Sequence, residues 1–407
     1  MKKVTRLGIV VALAGAGLLA TLPEAKALGF RNADQGAAAT AQGEAFIAQA
    51  DDASAVYYNP AGLVQLTGTH VAGGSYLLFR EIDFTGATTA KMDKFDFLPH
   101  LYAAADFGLE KWRFGLAVNA PYGLSIDWGE NSQFQYVVTS AKLTVLNFAP
   151  TAAYQFNEHL SIGASLNVYY GDTVQKFHYS PLLPGSRFQF DGNGTGLGAT
   201  VGLMWRINDQ HTLAAVYRSP FSIDMHGTAK TSNAGPFTTA GDASAGFDFP
   251  QSVAVGYAFR PTKKWKLEVD IDWTNWGVLN TVRLQSANPV FAGDPRSTIP
   301  FNWKDSFFYE FGTQYDLDEH WTLRGGYIFS ENTVPDSTFS PLVPDSDRHV
   351  FSVGFGYRSG RFEGNLTYQY SLSENRTVPG TGALGPTVAG KWESDAHAIM
   401  FTSAIRF

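Results

Sequence analysis

The chain reads as an all-β, antiparallel, membrane-spanning barrel of about fourteen strands, with a small helical plug ahead of it. Three observations predict this. Polar and apolar residues alternate at period two from Thr67 to the end, short and long connections alternate along the chain, and an export signal precedes a cysteine-free sequence.

The N-terminus comes first. Lys2, Lys3 and Arg6 form a positive start, Leu7 to Leu22 an apolar run, and Ala25-Lys26-Ala27 a small-x-small cleavage pattern, so residues 1–27 read as a signal peptide. The run is short and no stop-transfer charges follow it, which argues against a membrane anchor. Removing this segment takes away four basic residues and one acid, leaving the mature chain more acidic than its formal −7. That balance speaks against nucleic acid as a partner. With no cysteine, neither disulfides nor thiolate metal sites are available.

The strand signal is clearest from Trp265. Trp265, Leu267, Val269, Ile271 and Trp273 point one way, while Lys266, Glu268, Asp270 and Asp272 point the other. Val201, Leu203 and Trp205 likewise oppose Gly202, Met204 and Arg206, and the last strand sets Ile399, Phe401, Ile405 and Phe407 on one face. A soluble sandwich alternates in the same way, so the connections decide. Tight polar turns fall near 108–111, 157–159, 208–211, 261–264, 316–319 and 359–361; longer links fall near 85–94, 124–138, 180–194, 228–246, 286–300, 331–347 and 375–391. One end short and the other long is the habit of outer-membrane barrels. Trp112, Trp205, Trp265 and Trp321 lie beside short turns, and Trp128, Trp276, Trp303 and Trp392 toward long ones, as two aromatic girdles would require.

Residues 28–66 break this rhythm. They are Ala- and Gly-rich, with helical stretches around 36–50, and they contain the stiff turn Asn59-Pro60-Ala61-Gly62. A compact small-residue segment ahead of a barrel is expected to plug its lumen as a hatch, leaving residues 67–407 as the barrel.

Several motifs, in order, resemble the FadL/TodX family of outer-membrane transporters for long-chain fatty acids and aromatic hydrocarbons. They are Gly29-Phe30, Asp51-Asp52-Ala53 with Asn59-Pro60-Ala61, Asn119-Ala120-Pro121-Tyr122-Gly123-Leu124, Tyr217-Arg218-Ser219, Lys304-Asp305 and Pro344-Asp345-Ser346-Asp347-Arg348. The resemblance implies a fourteen-stranded barrel, an N-terminal hatch in which Gly29, Phe30, Asp51, Asp52, Asn59, Pro60 and Ala61 take part, and a kinked third strand. The residues of strands two and three also imply a wall opening. Pairing strands two and three about the turn at 108–111 sets Pro99 opposite Ala120 and Pro121 opposite Leu98. Two prolines at one level of a ladder cannot donate, and in lipid the orphaned carbonyls are costly unless another group meets them. A lateral gap at Pro99, Asn119, Pro121 and Gly123 is the expectation, with a rim bulge as the bland alternative.

No chemistry of bond-breaking is evident. The histidines lack metal-ligand spacing, no Gly-x-Ser-x-Gly elbow occurs, and 192–198, rich in glycine, precedes no helix and reads as a loop-to-strand transition. The protein is expected to be no enzyme and to need no cofactor. The mixed lumenal charges read mainly as solvated or mutually paired. For a fatty acid carboxylate, Lys176, Arg218 and Lys304 are the candidate partners, although Thr298-Ile299-Pro300-Phe301 replaces part of the family's charged pattern before strand ten. Phe188, Phe190, Phe237 and Phe247 are candidates to catch a hydrophobic ligand. Expected partners are a long-chain fatty acid or other hydrophobic small molecule, lipopolysaccharide or outer-membrane lipid around a monomer, and barrel-assembly machinery reading the terminal Phe407. The expected function is passive outer-membrane uptake through hatch movement and exit at strand three, with a monoaromatic-hydrocarbon channel or a non-specific porin as alternatives.

Overall fold

The computed structural model describes residues 29–407, so the signal-peptide reading of 1–27 lies outside the described residues. Joining collinear segments gives fourteen antiparallel strands. They are β1 Thr69–Gly86, β2 Thr89–Ala105, β3 Trp112–Asp127, β4 Ser140–Gln155, β5 Leu160–His178 and β6 Arg187–Arg206. β7 runs as His211–Arg218 and Phe221–Ser232, β8 as Thr239–Phe249 and Ser252–Thr262, and β9 as Trp265–Thr274 and Thr281–Ser286. β10 is Ser306–Asp316, preceded by the short Thr298–Pro300; β11 is Trp321–Ser330 and β12 Arg348–Ser359. β13 is Phe362–Ser373 with Arg376–Val378, and β14 is Gly390–Arg406. β1 pairs with β2 on one side and with β14 on the other, His70 opposite Arg406 through Gly86 opposite Gly390, so the sheet closes. Closure removes the sheet edges that lipid could not satisfy.

The alternation has the predicted sense. Trp265, Val269 and Ile271 are exposed on the outside, whereas Lys266, Glu268, Asp270 and Asp272 are buried in the lumen. Along β5 the outer face is apolar from Leu160 through Ile162 and Leu166 to Tyr170 and turns polar at Asp172. At ~3.3 Å per residue and a tilt near 40°, that run matches the roughly 25 Å apolar band of such barrels.

Several expected boundaries move. The link at 85–94 is a tight turn, because the β1–β2 ladder continues to Thr85 opposite Thr89. Much of 180–194 and 228–246 is also strand. These hairpins rise past the lipid, where water suits both faces and hydropathy no longer marks the strand. The glycine-rich 192–198 lies inside β6, not at a loop-to-strand transition, since its inner glycines sit against β7: a Cβ on Gly196 would lie 2.6 Å from the Ser222 carbonyl oxygen.

The outer tryptophan girdle is also corrected. Trp112, Trp205, Trp265 and Trp321 are exposed beside the short turns as expected, but Trp128, Trp276, Trp303 and Trp392 are buried. They belong to an internal aromatic cluster: Trp276 and Trp303 meet Phe30, and Trp392 stacks on Phe134 at 5.2 Å. Proximity to a loop in sequence does not say which face a ring occupies.

Candidate functional site

The plug is built from small residues because the barrel leaves little room. It contains α1 Ala37–Thr40, α2 Ala55–Tyr58 and a 3₁₀ turn Pro60–Gln65, nearly all buried. Inward glycines admit its backbone. A Cβ on Gly326 would lie 2.0 Å from the Gly43 nitrogen, and one on Gly163 2.3 Å from the Pro60 carbonyl carbon. Asn59 anchors the stiff turn. Its Nδ2 donates to the Ile47 carbonyl at 2.8 Å and to that of Leu203 in β6 at 3.3 Å, while its Oδ1 accepts from Ala61 N–H at 3.0 Å. Pro60 begins the 3₁₀ turn, where a missing N–H costs nothing. The Ala61 carbonyl accepts from Ser161 Oγ at 3.0 Å.

The acidic row on β9 is the plug's main polar support, and so is not merely solvated. Glu268 Oε1 accepts from Ala48 N–H at 2.6 Å and Gln49 N–H at 3.3 Å, and Asp270 Oδ2 accepts from Phe46 and Ile47 N–H at 2.9 and 3.1 Å. Asp272 takes Arg31 at 2.8 Å. The Arg31–Asp272 contact joins opposite charges, which makes it stronger than a neutral hydrogen bond. At the short-turn end, Asp51 and Asp52 line a polar cavity of about 900 Å³, counting the solvent at its open mouth, shared with Lys266, Arg324, Arg358 and Glu363. Burial opposes ionisation of Asp51, but Lys266 at 2.6 Å outweighs it and the carboxyl is held down at about 2. Burial pushes the Asp52 carboxyl up to about 6, against hydrogen bonds from Ser54.

The wall breaks between β2 and β3. They pair only from Ala105 opposite Phe114 to Leu101 opposite Val118. Continuing that register would bring Pro99 to Ala120 and Leu98 to Pro121, the two prolines at one level. β3 also shifts register against β4 between Asn119, fully buried, and Tyr122. The plug's first residues take over the ladder from inside. Asn32 N–H donates to the Pro121 carbonyl at 2.8 Å, Gly123 N–H donates to the Phe30 carbonyl at 2.9 Å, and Asn32 Nδ2 and Gln35 Nε2 both reach the Ala120 carbonyl at 3.2 Å. Thus the backbone groups that β2 abandons are met by 30–35. Gly29, at φ +60°, donates to Asp345 Oδ2 at 3.0 Å beneath Trp303 and Trp276, where a Cβ would collide.

On the long-loop side of this strap lies an apolar cavity of about 910 Å³, counting its open mouth. Phe30 and Leu124 form part of its floor; Phe177, Phe188, Phe190 and Phe247 line its wall. Ile299 and Phe301, from the segment that departs from the family's charged pattern, line it too. Phe237 lies outside it, exposed near a loop tip. None of the three head-group candidates lines this cavity. Lys176 is exposed because it alternates with the inward Phe177; Lys304 is exposed in the segment before β10. Arg218 is committed to the plug, donating to the Tyr57 and Tyr58 carbonyls at 2.9 and 3.3 Å and stacking on Tyr57. The cations in the cavity lining are instead Lys142 and Arg296; Arg296 is paired with Asp294 at 2.6 Å and stacked over Phe177 and Tyr179. Sequence reasoning missed Arg296 because it lies in a loop with no periodicity.

The family model described as outer membrane protein transport protein (OMPP1/FadL/TodX) matches residues 17–407. The chain belongs to this family. Among FadL-family relatives, it is similar to the long-chain fatty acid transport protein of Escherichia coli K12, 22% identical over 357 residues that cover 76% of this chain and 79% of the relative. It is also similar to outer membrane protein P1 of Haemophilus influenzae, 24% identical over 344 residues, covering 75% and 73%. Its fold matches the crystal structure of a Pseudomonas aeruginosa FadL homologue with TM-score 0.84 at 17% identity, covering 93% of this chain and all (100%) of that one. It also matches the crystal structure of the Pseudomonas putida toluene transporter TodX, with TM-score 0.74 at 19% identity, covering 95% and 100%. The protein is therefore an outer-membrane barrel of a Gram-negative bacterium, from a family of transporters for fatty acids and other hydrophobic compounds.

Proposed function

We propose that this FadL-family protein passively carries hydrophobic compounds, long-chain fatty acids foremost, from the outer surface into its apolar cavity and out sideways through the wall at β3. One observation carries the reading. Phe30 belongs to the cavity floor, and it also supplies, with Asn32 and Gln35, the hydrogen bonds that cover the abandoned β3 backbone. A ligand that packs against Phe30 competes with the strap's present position. Binding shifts the strap by its differential affinity for the covered and uncovered states, with no energy source required.

The fatty-acid preference draws on the relatives named for that transport and on Arg296 at the cavity mouth. A monoaromatic hydrocarbon is the second reading, favoured by the phenylalanine lining and by Asp294 already neutralising Arg296. Competition between oleate and xylene for the purified barrel separates the two. The exit is tested by Pro121→Val, which restores a donor to β3 and lets the ladder close. Uptake should fall while barrel abundance holds; unchanged uptake would sink the lateral route.

A further inference from the structure

Beside the wall break, the lumen face carries charge where a hydrocarbon exit would need none. Arg80 on β1 and Asp96 on β2 are diagonal neighbours across the ladder, since Leu78 lies opposite Asp96. Arg80 Nη2 donates to Asp96 Oδ2 at 2.6 Å and to the Ser125 carbonyl of β3 at 2.7 Å, and Nε donates to the same carboxylate at 3.2 Å. The guanidinium thus reaches past β2 to the far bank of the break. Lys94, also on the lumen face, lies 3.8 Å from Asp127 at the end of β3. Both side chains of the Arg80–Asp96 pair retain about a fifth of their exposure, 20% and 21%.

The depth matters. On the outer face at this level, Phe79 and Phe95 are exposed with their rings 5.0 Å apart, and Phe97 is exposed below them. The pair therefore faces the lumen at the upper margin of the apolar belt, one step below the outward Glu81 and Asp93. Its position relative to the cavity is equally specific: Leu124, in the floor, immediately precedes Ser125, whose carbonyl Arg80 holds.

We infer that Arg80 is a specificity-determining residue at the lateral exit, receiving the carboxylate of an anionic amphiphile as it leaves the cavity. Asp96 holds the guanidinium in the resting state, and the departing carboxylate exchanges with it while the tail passes between β2 and β3. A neutral hydrocarbon has no such handle. The inference rests on the lateral-exit reading and names the substrate class that exit selects.

The test measures uptake of oleate, methyl oleate and toluene by cells carrying Arg80→Gln, Arg80→Lys, Asp96→Asn or Pro121→Val, with barrel abundance measured in each. Arg80→Gln keeps a donor for Ser125 and removes the charge. It should lower oleate uptake at limiting concentration about tenfold and leave methyl oleate and toluene unchanged, with Arg80→Lys restoring most of the loss. Equal loss of all three ligands, or loss of none, overturns the inference while Pro121→Val still lowers all three. If Pro121→Val lowers none, the exit reading fails and the inference fails with it. Should Arg80→Gln not reach the membrane, Asp96→Asn decides: it should change the oleate concentration dependence alone, and a change common to methyl oleate refutes the role.

Discussion

Replacing Asn59 by alanine tests whether the plug is a docked body with a definable anchor. The side chain is fully buried and serves three backbone groups, the Ala61 N–H and the carbonyls of Ile47 and Leu203. Leu203 stands opposite Ala215 in the β6–β7 ladder, so it keeps a partner; Ile47 and Ala61 lose theirs. Each orphaned buried group costs roughly 1–3 kcal/mol, and loss of a cap about 1. A total near ~3 kcal/mol corresponds to about a hundredfold shift between docked and undocked plug. Hydrogen exchange read by mass spectrometry on purified barrel should therefore show residues 46–61 losing about a hundredfold in protection, with β4 to β6 unchanged, and cells should take up less oleate. Protection within threefold of the parent would refute the anchor and reduce the motif to local packing. Equal loss across the strands would refute the separation of plug from barrel.

Two further outcomes follow from the same geometry. Gly326→Val would drive a side chain into the Gln42–Gly43 backbone, within 2.1 Å of its carbonyl carbon and 2.0 Å of its nitrogen, so the plug must move. Raised single-channel conductance in planar bilayers is expected, and conductance equal to the parent would contradict it. Arg296→Ala should weaken oleate binding about tenfold in titration calorimetry, while Lys176→Ala should leave it unchanged; the opposite ranking would return the head-group site to β5.

The barrel was legible because lipid and lumen impose opposite demands on alternate residues. Trp265 to Trp273 showed this at a glance, and the β2–β3 register followed from one turn. The plug was legible only as composition. Its anchors on β9 were visible as acids but not as partners, although a lumen row of three carboxylates with only Lys266 to balance them signals donors elsewhere. Arg31 meets Asp272, but for Glu268 and Asp270 the donors are backbone N–H groups, which every sequence has and none displays. The same blindness explains Arg296, Asp294 and the buried tryptophans: loops lack a period, so nothing in the chain says which way they face. Arg218 matched a family motif, yet the residue holds the plug through carbonyls that no motif encodes.

The plug's hydrogen bonds also constrain the order in which the molecule can be made. Ala48 reaches a carboxylate 220 positions downstream, and Ala37 N–H reaches Thr402, 365 positions away on the strand that seals the ring. The part synthesised first is thus the last to meet all its partners. Thr69 N–H meets the Phe407 carbonyl at 3.3 Å, so the seam joins the two ends of the barrel beside the plug's tail. A ring closed with the segment outside would strand Glu268 and Asp270 in the lumen without their donors, a defect that enclosure before sealing avoids.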